Sequence, residues 1–213
     1  MTAVPSSTRP SPTRLSLFPL QSVLFPDGLL GLKVFEARYL DLMSQCVRDR
    51  VPFGVVALRQ GQEVRRPGER VEFETTGCTA EVIEIDGAEP GILHARCRGV
   101  QRFVVQSSEQ QPNGLWVAEV EMLEPDPSVL PVQEHVDSAK ALAALIQTMR
   151  AKGPVPFLEP YRFEDAGWIA NRWCEVLPIP LAARQKLMEL PDPQIRLKLV
   201  DQFLKQKGIV SRG

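Results

Sequence analysis

Apolar residues follow a strand-like alternation over most of the chain up to residue 123, and a helical period of about 3.6 beyond residue 131. Leu15–Leu20 and Val23–Phe25 are short apolar runs, each followed or broken by a Phe-Pro step. A residue before proline is pushed out of the α region, so Phe18 and Phe25 are extended. Pro19 and Pro26 have no N–H to give a ladder and belong at strand edges or ends. Asp27-Gly28 marks a turn. Leu29–Phe35 is apolar enough for a buried strand. From Glu36 the pattern turns helical: Tyr39, Met43, Cys46 and Val47 fall at helical spacing with Leu42 beside them. Glu36 lies in the first turn, where the helix dipole favours a negative charge. Glu36 and Arg38 are two positions apart, so on a helix they point different ways and are not expected to pair.

Further strands are expected at Val51–Leu58, Thr75–Ile85, Ile92–Arg98, Val100–Gln106 and Leu115–Leu123. In Ile92–Arg98, the residues Ile92, His94 and Arg96 face one way and Leu93, Ala95 and Cys97 the other. Gly99 breaks the alternation, as a bulge would. The polar stretch Arg59–Glu74 reads as a long hairpin connection. Short strands at this spacing point to a small barrel or sandwich of about six mostly antiparallel strands with one helix.

The pattern then changes. Glu124-Pro125-Asp126-Pro127, with Pro131, is a linker over 124–131. Val132, Val136, Ala139, Leu142, Ala143, Ile146 and Met149 form one helical stripe, which ends at Gly153-Pro154. A second helix is expected over Glu164–Leu177, with Trp168, Ile169, Trp173 and Val176 apolar. A third opens at Pro180 and runs to Leu190. Asp192-Pro193 is an N-cap followed by proline at the first helical position. The last helix carries Ile195, Leu199, Val200, Phe203 and Leu204. The chain therefore divides into a polar arm over 1–14, expected to be disordered, a β-rich part over 15–123, the linker, and a helical part over 132–208. No internal repeat is visible.

Composition narrows the function classes. The 213 residues can form one large domain or two small ones, and a chain of this size buries roughly 70% of its unfolded surface without staples. The net charge of −1 gives no global attraction to nucleic acid or to an anionic membrane. In the Arg59–Glu74 stretch, Arg59, Arg65, Arg66 and Arg70 are matched by Glu63, Glu69, Glu72 and Glu74, a mixed solvated surface and not a basic stripe. The four cysteines are widely spaced in apolar segments and read as reduced, buried thiols. The arm has no apolar core of a signal peptide, and no run reaches the ~18 apolar residues of a membrane span. A cytoplasmic location is expected.

Catalytic constellations are sparse. No glycine is followed by lysine, so a Walker A loop is missing, as are the G-x-S-x-G elbow and the G-x-G-x-x-G turn. His94 and His135 are the only histidines. His135 is expected half-exposed on a helix and His94 paired in a sheet, neither placed as a general base. Cys78, Cys97 and His94 could meet on adjacent strands but lack zinc-ligand spacing. No enzyme activity, metal or cofactor is expected.

The opening LSLFPLQSVLFPDGLLGLKVFEARY resembles the start of the Lon protease N-terminal domain family, also called the Lon substrate-binding domain. The shared features are Leu-Phe-Pro-Leu, a second Leu-Phe-Pro, and the Phe-Glu-x-Arg-Tyr step at Phe35–Tyr39. The family usually has proline where this chain has Ala37. The likeness continues through Phe53–Val56, Gly77–Ile85, Gly99–Phe103 and Val117–Glu121, and LPIPLAARQKLMELPDPQIRLKLVDQFL resembles the later helices.

The resemblance implies an α+β fold, a PUA-like pseudo-barrel followed by a four-helix part, in a free-standing member without the ATPase and Ser-Lys protease modules. It implies recognition of other polypeptides, by strand addition or groove docking, and a non-enzymatic module that could serve as an adaptor in protein quality control. The alternative is RNA binding, since some PUA-like barrels bind RNA; the balanced charge counts against it. Phe18, Phe25, Leu29, Leu30 and Phe35 are candidates for an exposed apolar patch that marks a partner site. Arg38 is the candidate polar contact, against a structural reading in which it ties the helix to the sheet.

Overall fold

The first strand, β1 (Thr13–Leu20), lies between two partners, β3 (Phe53–Gln60) in parallel and β6 (Trp116–Met122) antiparallel. A computed structural model describes residues 13–63 and 70–211 of the chain. The remaining strands are β2 (Leu29–Val34), β4 (Glu72–Asp86) and β5 (Leu93–Gln110), all paired antiparallel. The strand order is β2-β5-β4-β3-β1-β6, and an added β5–β6 pairing closes the last five into a ring. β2 hangs on the ring through β5 alone and is the free edge of the sheet among the described residues.

β5 corrects the expectation of two separate strands. It is one strand of 18 residues that serves both β2 and β6. Gly99 does not end it. A Cβ there would lie 2.1 Å from the Phe25 carbonyl oxygen, so glycine is needed for the Pro26–Gly28 turn to dock on the strand. The Asp27 amide donates to the Gly99 carbonyl and the Gly99 amide to the Gly28 carbonyl. The register against β4 shifts beside this point, which is the expected bulge. Asp27 takes the left-handed conformation (φ 58°) that the turn requires.

α1 (Ala37–Asp49) packs Tyr39, Leu42, Met43 and Cys46 against the sheet, with Phe18, Phe53, Val55 and Val34. Val47, expected in that stripe, is exposed, because the buried face is centred on Leu42–Met43 and Val47 lies past its margin. The ring encloses a separate small core of Leu15, Leu17, Val56, Phe103, Ala118 and Val120.

The helical part comprises α2 (Val136–Arg150), α3 (Ala166–Val176), α4 (Leu181–Glu189) and α5 (Pro193–Gln206). Its core includes Trp168, Ile169, Trp173, Leu142, Leu197 and Leu204, and it takes in Val23, Phe25 and Ala57 from the β-rich part. The Asp192 carboxylate caps α5 by accepting from the amides of Gln194 and Ile195.

Several local expectations are corrected. The buried face of α5 is Arg196, Leu197, Val200, Asp201 and Leu204, while Ile195 and Leu199 are exposed. Polar partners rotate the helix: Arg196 bonds to Asp126 and Asn171, and Asp201 accepts from Ser138. Val132 is exposed, not part of the α2 stripe, because α2 begins only at Val136. His135 is buried, since the short 3-10 turn Gln133–His135 packs on α5. Thr13 and Arg14, assigned to the arm, belong to β1; residues 1–12 and the middle of the 59–74 connection lie outside the described residues.

Candidate functional site

A groove of about 430 Å³ runs beside β2. Every residue from Leu30 to Glu36 lines it, so it follows the strand's edge; a face would present only alternate residues. Phe18, Leu20 and Ser22, at and beyond the end of β1, form the opposite wall with Tyr39 and Glu63. The Phe18 and Tyr39 rings stack at 3.8 Å with planes 6° apart. Burial pushes the Tyr39 phenol up to about 12, with the Arg38 guanidinium pulling against it, so the ring stays neutral.

Glu36 and Arg38 do pair, at 2.9 Å, which corrects the expectation from helical spacing. Glu36 is the N-cap of α1 with extended backbone (φ −78°, ψ 133°), so the two residues are not on one helical ladder. Arg38 is buried, donates to the Gly114 carbonyl at 2.7 Å, and lies over the Tyr39 ring at 4.5 Å. It ties the start of α1 to the β5–β6 turn and braces the groove floor from behind.

Of the candidate residues, Phe18, Leu30 and Phe35 line the groove, but Phe18, expected exposed, is buried, because its ring is stacked against Tyr39 in the α1–sheet core. Phe35 is 49% exposed and forms its mouth. Leu29 is half-buried at the start of β2 and does not line the groove. Phe25 is fully buried in the core shared with the helices. Its turn is clamped there by Arg172 of α3, whose guanidinium donates to the carbonyls of Pro26 and Asp27. Sequence reasoning missed Gly31, Lys33, Tyr39 and Glu63 as groove residues. The available signal was Gly31, a glycine inside an otherwise apolar strand.

A second, narrower cleft of about 130 Å³ lies between the sheet and the helices. Its polar groups are engaged with one another. Asp126, from the linker, accepts from Arg102 of β5 and, at 2.5 Å, from Arg196 of α5. Arg102 also donates to the Met188 and Leu190 carbonyls, each at 2.9 Å, and Arg162 pairs with Asp27. This cleft is a joint. Near it, Glu175 sits 2.6 Å from Arg172, and burial pushes its carboxyl up to about 7 while Arg172 pulls it down.

Burial pushes the thiols of Cys78 and Cys97 up to about 12, far from thiolate at neutral pH. His94 is exposed on the opposite face of β5 from Cys97. Among the described residues no group of His, Cys, Asp or Glu is placed to hold a metal, and no helix is long and apolar enough to cross a membrane.

Comparison with known proteins places this geometry. Residues 14–206 match the family model of the ATP-dependent protease La (LON) substrate-binding domain. The chain is 28% identical over 201 residues to a Lon protease of Anaeromyxobacter dehalogenans (strain 2CP-C), covering 92% of this chain and 23% of that protein. It is 27% identical over 204 residues to Lon protease 2 of Myxococcus xanthus, covering 92% of this chain and 24% of that protein. It thus spans about a quarter of the length of these curated relatives. Among solved structures, a Lon N-terminal domain protein from Xanthomonas campestris superposes with a TM-score of 0.68 at 33% identity, over 88% of this chain and 96% of that one. The N-terminal domain of Mycobacterium avium complex Lon protease shares the fold, with a TM-score of 0.62 at 12% identity, over 90% of this chain and 97% of that one. The family model spans all but the first residue of the described elements, Thr13–Gln206, and the chain belongs to the Lon substrate-binding domain family.

Proposed function

We propose that the chain is a non-enzymatic polypeptide-recognition module, and that the groove beside β2 is where it takes hold of extended apolar segments. The observation that carries this reading is an apolar floor left open along the free edge of the sheet, in a family described by substrate binding. An adaptor role in protein quality control follows from it, because such a module delivers a bound chain without acting on it. Four buried free thiols support work in a reducing compartment, the cytoplasm. RNA recognition is the weaker reading. The arginines on the open face of β5 are paired, Arg96 with Glu84 at 2.6 Å and Arg98 with Glu81 at 3.2 Å, and offer no free basic stripe.

The test is the affinity for a labelled, permanently unfolded polypeptide, such as reduced and carboxymethylated lactalbumin, in wild type and in Phe35→Asp. Phe35 is exposed, so the variant should keep its melting temperature and bind at least about tenfold more weakly, the loss expected for charging an apolar contact site. Unchanged affinity would remove the groove from consideration. ATP or casein turnover that copurifies with the protein would overturn the non-enzymatic reading.

A further inference from the structure

β2 presents backbone, not only side chains, to the groove. The Gly99 amide donates to the Gly28 carbonyl while its own carbonyl accepts from the Asp27 amide, a bulge in which Asp27 and Gly28 together oppose Gly99 and the Gly28 carbonyl faces β5. In the β2–β5 register, Leu30, Leu32 and Val34 then direct their backbone groups to β5, and Leu29, Gly31 and Lys33 direct theirs to the free edge. Among the described residues nothing requires glycine at position 31. A Cβ there would meet no atom within 4 Å, and its backbone is not left-handed. Glycine inside a strand weakens it, and one common reason for its presence is the close approach of another backbone.

We infer that the ligand is held by strand addition: a proline-free, extended segment of about six residues, matching the length of β2, hydrogen-bonds to the edge groups of Gly31 and Lys33 in the groove and of Leu29 just beyond its end. This rests on the polypeptide-recognition reading and specifies the ligand class. Side chains of an added strand alternate. Those on the inner face meet Phe18, Leu20 and Tyr39 and are apolar. Those on the outer face lie beside Gly31 and Lys33. An aromatic ring suits the position opposite Gly31, where it covers the bare backbone. A carboxylate suits the position opposite Lys33, an exposed ammonium whose nearest carboxylate, Glu89, stands 3.8 Å away. Glu36 does not compete, because Arg38 holds it.

The probe is an acetylated hexapeptide, Val-Glu-Val-Tyr-Val-Thr, and two versions of it N-methylated on complementary alternate amides. Only alternate amides of an added strand reach the edge. One methylated version should therefore bind at least about tenfold more weakly than the parent, the loss expected from several backbone bonds, and the other should bind like the parent. Gly31→Pro removes an edge donor without touching the β2–β5 ladder. It should lower affinity comparably while the melting temperature stays within a few degrees; the methylation pattern tests the inference on the wild-type chain even if this variant folds poorly.

If both methylated versions bind like the parent, strand addition is wrong, and the recognition reading survives on the Phe35→Asp result. If neither the hexapeptide nor the unfolded polypeptide binds, both readings fail. A concentration-dependent dimer of the free protein that Gly31→Pro abolishes would make a second copy the occupant and overturn the inference.

Discussion

Replacing Asp126 with alanine tests whether the linker is a hinge or a tie. Its carboxylate is the shared acceptor of two guanidiniums that are only 5% (Arg102) and 1% (Arg196) exposed. Without it both remain buried beside each other, and their bonds to the Met188, Leu190 and Leu187 carbonyls supply partial charges only. Burial lowers the Arg102 pKa and the Arg196 charge adds to that, while Asp126 is the main group that opposes them. Removing one member of a buried ion pair costs about 3–5 kcal/mol. For a chain of this size that corresponds to a fall in melting temperature of roughly 6–20 °C. Urea denaturation followed by far-UV circular dichroism and tryptophan fluorescence reads the loss. Trp168 and Trp173 lie in the helical core and Trp116 in β6, so, with Trp116 replaced by Phe, the fluorescence reports the helices and a loosened joint should also separate the two transitions. A loss below about 1 kcal/mol, the value of an exposed pair, would refute the reasoning and restore the linker as a hinge.

Other expectations follow from the same structure. Met43→Ala, at a fully buried position between α1 and the sheet, should cost about 2–5 kcal/mol by denaturant titration; a loss under that range would mean the α1 layer collapses to fill the cavity. Glu175→Gln should change the pH dependence of stability. A carboxyl raised to about 7 keeps its proton in the folded state where the unfolded chain has lost it, so its contribution is full below the ordinary carboxylate range and is lost as pH rises through 7. The melting temperature of wild type relative to the Gln variant should therefore drop from pH 5 to pH 8, and a constant difference would contradict this. Residues 15–123 expressed alone should be less soluble than the whole chain, because Val23, Phe25 and Ala57 would lose the helices that cover them; equal solubility and stability in light scattering and thermal melts would show that the two parts share no core.

Strand and helix positions were legible in the amino-acid order because their causes are local. The Phe-Pro steps and Asp27-Gly28 shape the backbone wherever they occur, and Asp192-Pro193 caps α5 with its own neighbouring amides. The stripe through Tyr39, Leu42, Met43 and Cys46 needed only a helical period to be read as buried. Phe18, Phe25, Leu29, Leu30 and Phe35 could be nominated for an apolar patch by the density of large side chains, and three of them line the groove.

What could not be read there depended on partners far away along the chain. Phe18 and Phe25 sit in equivalent Phe-Pro steps, yet one lines the groove and the other is sealed under α3, because Arg172, 146 positions beyond Pro26, clamps the second turn. Gly99 looked like a strand break until the Phe25 carbonyl came to rest against it. The buried face of α5 turned toward Arg196 and Asp201 because Asp126 and Ser138 wait for them there. The groove itself depends on β5 pairing with β2, β4 and β6, which leaves β2 a free edge among the described residues. Alternation and turn chemistry fix what each segment becomes, since they act within a few residues. Which edge stays open and which aromatic lines the groove are set by contacts that form only when distant segments meet.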